Sequence, residues 1–463
     1  MSSVILHERS KVAQLLKRYL KRIGISSAGL NLENSAYVHS QVGLHHMQKR
    51  YATKHKQLGL DNIKISGKTY TCDDWTNVTE KILSYVGKNL HVQKDHPICI
   101  IKEAIVQHFY NSYVKARRVP LFAVFDNLAP VVTVQQNFDS LLIPQNHVSR
   151  KKSENYYVNK NTVLRAHTSA HEHELIKSGL DAYLMVGDVY RRDTIDATHF
   201  PVFHQLEGVR LFNSQQLFSK CEGASADLTL FEVGDETKDK QSCHTLETSK
   251  LLEFNLKQTI EDCIKDIFGK EAECKWVDAY FPFTHPSYEL EIKYNDEWIE
   301  MLGCGILRQE ILNQAGACDQ VAWAFGLGLE RLAMKLFNIP DIRYMWTEDE
   351  SFLAQFRCHS DFKSIKFKPI VSKQPALVND VAFWIPTDFT PNDFYDLVRS
   401  VDDGLVQTIT LIDQFTHSSG KQSHCYRLFY RHVSRALTQA QVNEVHGKIK
   451  SAAVKQLNVE GRW

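Results

Sequence analysis

The segment Val189–Phe212, VYRRDTIDATHFPVFHQLEGVRLF, constrains this chain more than any other. Two extended runs flank a polar loop, Thr194–Phe200, which predicts a long β-hairpin. Side chains alternate faces along a strand, so Phe203, Gln205 and Glu207 point one way, and across the loop Arg191 and Asp193 share a face. One sheet face thus gathers two carboxylates, an amide, a guanidinium and an aromatic ring. A solvated sheet face is the competing reading, but the opposite face carries His204 and Arg210, so the hairpin is not simply polar outside and apolar inside. With strands first and last and helices between them, the fold class is α+β rather than a doubly wound parallel sheet.

Of 463 residues, 43% are hydrophobic and 24% charged, which excludes wholesale disorder. No apolar run reaches the ~18 residues of a membrane span. The ten cysteines never form C-x-x-C, so neither a disulfide framework nor a zinc ribbon is expected, and a reducing compartment fits. The net charge of +1 divides into +8 over residues 1–60 and −7 over the rest. In the basic part Val12, Leu15, Leu16, Tyr19, Leu20 and Ile23 recur at helical spacing among Lys and Arg, with almost no acids. That is the composition of a mitochondrial transit peptide, with a basic arm touching nucleic acid as the alternative.

Asp73–Thr76 predicts a short capped helix ending near Gly87, and His96-Pro97 opens a longer one. Helices are also predicted over Leu246–Phe268 and Leu329–Phe337. Residues 213–245 read as a polar surface excursion, and Phe367–Pro375 as a Lys/Pro-rich stretch of linker. The last ~90 residues run strand, helix, strand, strand, helix, a small α/β sandwich. The expected organisation is a transit peptide and disordered arm (1–60), an N-terminal helical segment (61–120), a central α+β domain (121–345), a linker (346–370) and a tail domain (371–463).

A second informative segment, WAFGLGLERLAMKLF, runs from a strand through Gly326 and Gly328 into a helix beginning Glu330-Arg331. Glycines there let a ligand approach the backbone, and an Arg at a helix start can face phosphates. Alone, such a G-x-G is more often packing. Together, however, Arg191-x-Asp193 with His199-x-x-x-Phe203 resembles motif 2 of the class II aminoacyl-tRNA synthetases, and Gly326–Arg331 resembles their motif 3. Phe138–Pro144, with Pro130 upstream, resembles motif 1. The strings FHQLEG, FPF (Phe281–Phe283) and AFGLGLERLAM narrow the resemblance to the phenylalanyl-tRNA synthetase family. It covers about residues 73–463, with a tail similar to the family's ferredoxin-like anticodon-binding domain. The single chain behind a basic presequence resembles the family's mitochondrial form. Asp193 departs from the usual Glu, so it is not expected to be a direct ligand.

The resemblance implies a two-step reaction needing no protein nucleophile: phenylalanine attacks the α-phosphate of ATP, and the acyl group then moves to tRNA(Phe). It assigns Arg191 to the α-phosphate and the attacking carboxylate, and Arg331 to the γ-phosphate. Phe203 would stack on adenine, Thr198, His199 and Phe200 would cover the triphosphate, and Phe325 would lie in the strand behind the adenine. Glu172 is assigned to the ATP or adenylate site, and Glu300 would help hold Mg²⁺ or the ATP. Gln205, Glu207, Ser169 and His167 would meet the α-ammonium, with Phe281 and Phe283, sharing a strand face, and Ala324 forming the ring slot. Ser169 and Glu172 also spell an S-x-x-E capping box, which predicts that Ser169 starts a helix. His167 and His171 mimic i,i+4 metal spacing, but without H-E-x-x-H no zinc site is expected. In the tail, HCYRLFYRH alternates aromatic and basic residues, which suits RNA contact through Arg427 and Arg431, with an ordinary amphipathic strand as the alternative. The expected enzyme is monomeric, free of membrane, and in the mitochondrial matrix. Its rivals are a non-catalytic synthetase-like RNA-binding protein and a class II synthetase for another amino acid.

Overall fold

The computed structural model describes residues 61–114, 119–219, 228–294, 296–357, 361–369, 375–402 and 404–463. The expected presequence helix and most of Phe367–Pro375's far end (370–374) lie outside them. A hairpin, β1 (Asn62–Ile65) and β2 (Lys68–Thr71), comes first. It was not expected, because a helical segment was predicted from residue 61. Ile63 and Ile65 alternate inward, and Ser66-Gly67 turns with both φ angles positive, at 48° and 81°. The following helix, α1, covers only Glu80–Leu83 and is capped by Thr79 rather than by Asp73–Thr76. Thr76 is buried and donates to the Val158 carbonyl instead. α2 (Pro97–Ser112) starts where His96-Pro97 predicts, with His96 accepting from the Ile98 amide.

The core is a seven-stranded sheet of β3 (Ala123–Phe125), β7 (Ala182–Tyr190), β8 (Val202–Phe212), β12 (Val321–Gly328), β11 (Glu297–Leu307), β10 (Thr284–Tyr294) and β9 (Cys274–Phe281), in that spatial order. Among the described residues only β3 and β7 pair in parallel. A small three-stranded sheet adds β4 (Val131–Thr133), β5 (Tyr157–Asn159) and β6 (Thr162–Leu164). Between β6 and β7 lies α3 (Glu172–Lys177). One face of the large sheet buries Leu184, Val186, Leu206, Trp323 and Phe325 against α2, α4 (Leu246–Phe268) and α6 (Leu329–Phe337). The other face packs Tyr183, Val209 and Ala324 with α3 and α5 (Gln309–Gln314), leaving the middle of the sheet for the site. The segment 346–370, expected as a linker, instead buries Phe352, Phe356, Ile365 and Phe367 in the main core. Its aromatic residues, not its lysines, decide where it lies.

The tail is β13 (Leu377–Ile385), α7 (Pro391–Val401), β14 (Val406–Thr416), β15 (Gln422–Tyr430), α8 (Gln439–Leu457) and the short β16 (Glu460–Gly461). Its antiparallel sheet has the order β14-β15-β13-β16, and the two helices pack together over one side. The tail meets the catalytic part through buried charge. Arg192 donates to Asp396 at 2.6 Å and to Asp393 at 2.8 Å, while Arg399 donates to the Asp193 carbonyl. Ile195, from the hairpin loop, is a member of the tail's own apolar core. Removing one partner of a buried pair costs about 3–5 kcal/mol. We expect Arg192→Ala to fall at the lower end, since Tyr156 and Arg399 still hold Asp396. Thermal denaturation should show a midpoint several degrees lower, and an unchanged midpoint would remove this contact from the protein's stability.

Candidate active site

β7 and β8 form the long hairpin, with Asp188 opposite His204 and Tyr190 opposite Val202. Arg191 lies one residue past the end of β7, so it and Asp193 belong to the loop rather than to a strand face. Its backbone amide still reaches the Pro201 carbonyl, its Nε donates to the Ala166 carbonyl at 2.7 Å, and its guanidinium lies 5.2 Å from the Phe203 ring. His204, on the opposite face, is locked to Glu330 by a ring contact of 2.7 Å and a backbone bond of 2.8 Å. That contact fixes the start of α6 against β8 and so places the next residue, Arg331. The exposed Arg331 donates to the Glu300 carbonyl at 2.8 Å and lies 3.3 Å from its carboxylate.

The sheet register explains the space between these arginines. Glu207 pairs with Gly326, which pairs with Gly303; Gln205 pairs with Gly328; Val209 pairs with Ala324, which pairs with Gly305. Four neighbouring positions on one sheet face therefore carry no side chain: Phe281 lies over Gly303 and Thr284 over Gly305, while Gly326 and Gly328 stay open as the floor of a trough. A Cβ at Gly326 or Gly328 would meet nothing within 4 Å, whereas one at Gly303 would strike the Phe281 ring at 2.7 Å. Gln205 and Glu207 form one wall. Phe281 and Phe283 stand across from them, stacked at 5.8 Å with an interplanar angle of 17°. Ala324, buried in the strand, closes the end.

Glu207 is held from beneath by Ser169, whose hydroxyl donates at 2.6 Å, and by Thr168 at 3.0 Å. The Thr168 amide donates to Gln205, fixing both wall residues from one turn. His167 meets the Asn137 carbonyl at 2.9 Å, and Asn137 in turn accepts from the Ala166 amide. Burial, with Arg191 nearby, pulls the His167 pKa down to about 3, so its ring is neutral at physiological pH. Thr168 and Asn137 were not anticipated; Thr168 lies between two assigned residues, and its hydroxyl was the available signal.

Three assignments change. Ser169 does not cap a helix: Thr168–His171 is a 3₁₀ turn that runs into α3, and the hydroxyl goes to Glu207. Phe283 is not on a strand but in the β9–β10 turn, and it reaches Phe281 by stacking. Phe200 turns away from the loop, stacking on Trp346 at 5.3 Å and meeting Tyr85 edge-on, so it anchors the loop's end rather than covering it. Phe325 stays in its strand, with its ring on the helical face of the sheet, against Phe109 and over Gly208. Thr198 and His199 remain in the loop, both bonded to Asp196. Glu172 lies beside Glu207, its carboxyl facing that of Glu207. In the tail, Arg427 forms a two-pronged pair with Asp380, and Arg431 is exposed beyond the end of β15.

Glu300 stands opposite Glu291, and Glu289 lies one position along the same face. Burial and the like charges of Glu300 and Glu291 push the Glu289 carboxyl upward, a strain that a cation would relieve. Among the described residues no three metal-ligating side chains converge. One or two carboxylates with most positions left to phosphate and water is the arrangement Mg²⁺ prefers, so these residues fit Mg²⁺ brought with a nucleotide.

Residues 83–228 and 242–356 match the tRNA synthetases class II core domain (F), and residues 372–462 match the ferredoxin-fold anticodon binding domain. The chain is 54% identical over 403 residues to the mitochondrial phenylalanine–tRNA ligase of Mus musculus, covering 87% of this chain and 89% of that protein. The mitochondrial enzyme of Rattus norvegicus is 51% identical over 424 residues, with 87% and 89% covered. The probable mitochondrial enzyme of Drosophila melanogaster is 52% identical over 419 residues, with 86% and 92% covered. With both domains present in order and the trough built between the two motif arginines, the chain belongs to the class II phenylalanine–tRNA ligase family.

Proposed function

We propose that this chain ligates L-phenylalanine to tRNA(Phe) in the mitochondrial matrix, by way of a phenylalanyl-adenylate. The observation that carries the reading is the glycine-floored trough, with a hydroxyl-braced carboxylate on one wall, two stacked phenylalanines on the other, and an arginine at each end. With Phe281, Phe283 and the buried Ala324 together, one end suits an aromatic ring, and Glu207 with Gln205 suits an α-ammonium. Arg191 is poised to neutralise the charge that develops as the carboxylate attacks the α-phosphate, while Phe203 offers adenine a stacking face. Arg331, Thr198 and His199 lie where the outer phosphates would extend. Glu300 would hold Mg²⁺ brought with ATP, and the ion would supply further charge neutralisation on the phosphates. Catalysis by position and charge explains why no nucleophile is needed.

In the tail, β15 presents Arg427, and Phe415 is exposed beside Trp384 and Arg462. This mixture of flat rings and cations suits RNA, with Arg427 exchanging Asp380 for phosphate and Arg431 adding a second cation. We take the chain to act as a monomer, since core and tail are carried on one polypeptide.

ATP–pyrophosphate exchange with each of the twenty amino acids tests the reading. Phenylalanine should dominate, with tyrosine about a hundredfold weaker, because an apolar slot rejects an added hydroxyl only modestly. Ala324→Gly should raise the use of para-substituted phenylalanines by about tenfold. Preference for another amino acid would make this a different class II ligase, and no exchange at all would favour a non-catalytic RNA-binding protein.

A further inference from the structure

Beneath the trough wall lies an arrangement that the reaction does not require. Glu172, at the start of α3, and Glu207, on β8, are 1% and 3% exposed, and their carboxyls lie within hydrogen-bonding reach of one another. The Oε1 atom of each finds no donor among the described residues, and neither does the fully buried Tyr183 hydroxyl beside them. No Lys or Arg among the described residues forms an ion pair with either carboxyl. Arg165 is spent on Asp188 at 2.6 Å, and Arg191 is directed to the Ala166 carbonyl and Phe203. The flanking imidazoles of His167 and His171 are held neutral by burial, with pKa values pulled down to about 3 and 4. From β8 Gln205 contributes only an amide, from the 3₁₀ turn Thr168 and Ser169 contribute hydroxyls, and Glu174 of α3 is exposed. β12 and α5 bring Ala322, Ala324 and Leu312.

Two carboxyls buried side by side without a cation cannot both ionise. We propose that before phenylalanine binds, Glu172 and Glu207 share protons across their facing carboxyls, and that the incoming α-ammonium displaces one of these protons to solvent. The inference rests on the reading of Glu207 as the ammonium site. Burial raises both carboxyls above the ordinary range, Glu172 most because Glu207 repels its charge and accepts its proton. The ammonium's N–H group takes the place of the lost proton on Glu207, so the charge change in the pocket is balanced by one proton entering the buffer. A site that must lose a proton to bind its ligand binds less well as pH falls.

Isothermal titration calorimetry of the full chain with L-phenylalanine, in two buffers of different ionisation enthalpy near pH ~7, reads the protons released. Between about half and one proton should leave per phenylalanine, and Kd should rise about three- to tenfold for each pH unit of acidification. 3-Phenylpropionate, which lacks the ammonium, should release none. Glu172→Gln replaces the shared proton by a fixed donor, so release should fall to under about a third of the wild-type value. Phenylalanine affinity in that variant should lose its pH dependence and exceed the wild type at acid pH. Phenylalanine binding without proton release, or equal release from Glu172→Gln, would overturn the proposal alone. No phenylalanine binding at any pH would overturn the pocket assignment and the proposal with it.

Discussion

Arg191→Ala is expected to lower ATP–pyrophosphate exchange by about a thousandfold, at the upper end of what removing one preorganised charge donor costs. The side chain is held by a 2.7 Å bond to the Ala166 carbonyl and by the Phe203 ring, so it does not reorganise as charge builds on the attacked phosphate. Burial, which pulls its pKa down, strengthens its field on a charge developing beside it. The loss should therefore fall mainly on kcat. Stability should change by only about 1–2 kcal/mol, since one hydrogen bond to a backbone carbonyl and the contact with the Phe203 ring are at stake. Exchange kinetics alongside thermal denaturation would check both statements. Near-normal exchange in a folded variant would mean that Arg191 does not face the reacting phosphate.

The second large effect separates activity from stability in the opposite direction. Gly326→Val should abolish detectable activation, a loss of more than about a hundredfold, while leaving the melting temperature equal or higher. The backbone there is ordinary strand without positive φ, and a Cβ meets no protein atom within 4 Å. Valine suits a strand better than glycine does, and replacing glycine reduces the freedom of the unfolded chain. The branched side chain would therefore rise unopposed into the space over the floor, where the substrates have to lie. Gly303→Ala provides the contrast, because its methyl group would strike the Phe281 ring and cost stability first. If Gly326→Val keeps normal kinetics for phenylalanine and ATP, the trough is not the place where they meet.

The long elements were legible because local and tertiary forces agree on them. Leu246–Phe268 and Leu329–Phe337 appear with the boundaries that their periodicity gives, the first capped by Thr245 and ended by Gly269 at a φ of 107°. The hairpin of Val189–Phe212 and the order of elements in the tail follow from alternation in the same way. What sequence could not settle was which way a side chain turns when its partner is distant in the chain. Phe200 looks like a loop residue until Trp346 provides a stacking surface. Ser169 and Glu172 satisfy a local capping pattern, but a buried strand carboxylate competes for both and prevails. Arg192 reads as one more basic residue beside Arg191, because nothing local announces Asp393 and Asp396 two hundred residues later.

The contribution of Ile195 to the tail's apolar core means that the boundary between the two domains in space is not a boundary in the sequence. A cut near residue 371 looks clean on paper, but it divides a core that neither fragment completes. The N-terminal piece would carry a bare isoleucine and an arginine deprived of two carboxylates, both within four residues of Arg191. The C-terminal piece would fold, if at all, around the hollow that Ile195 fills. Activity lost by either fragment would therefore measure a broken seam and not the work of the missing half. Point changes on the tail's outer face are the means of separating RNA contact from architecture.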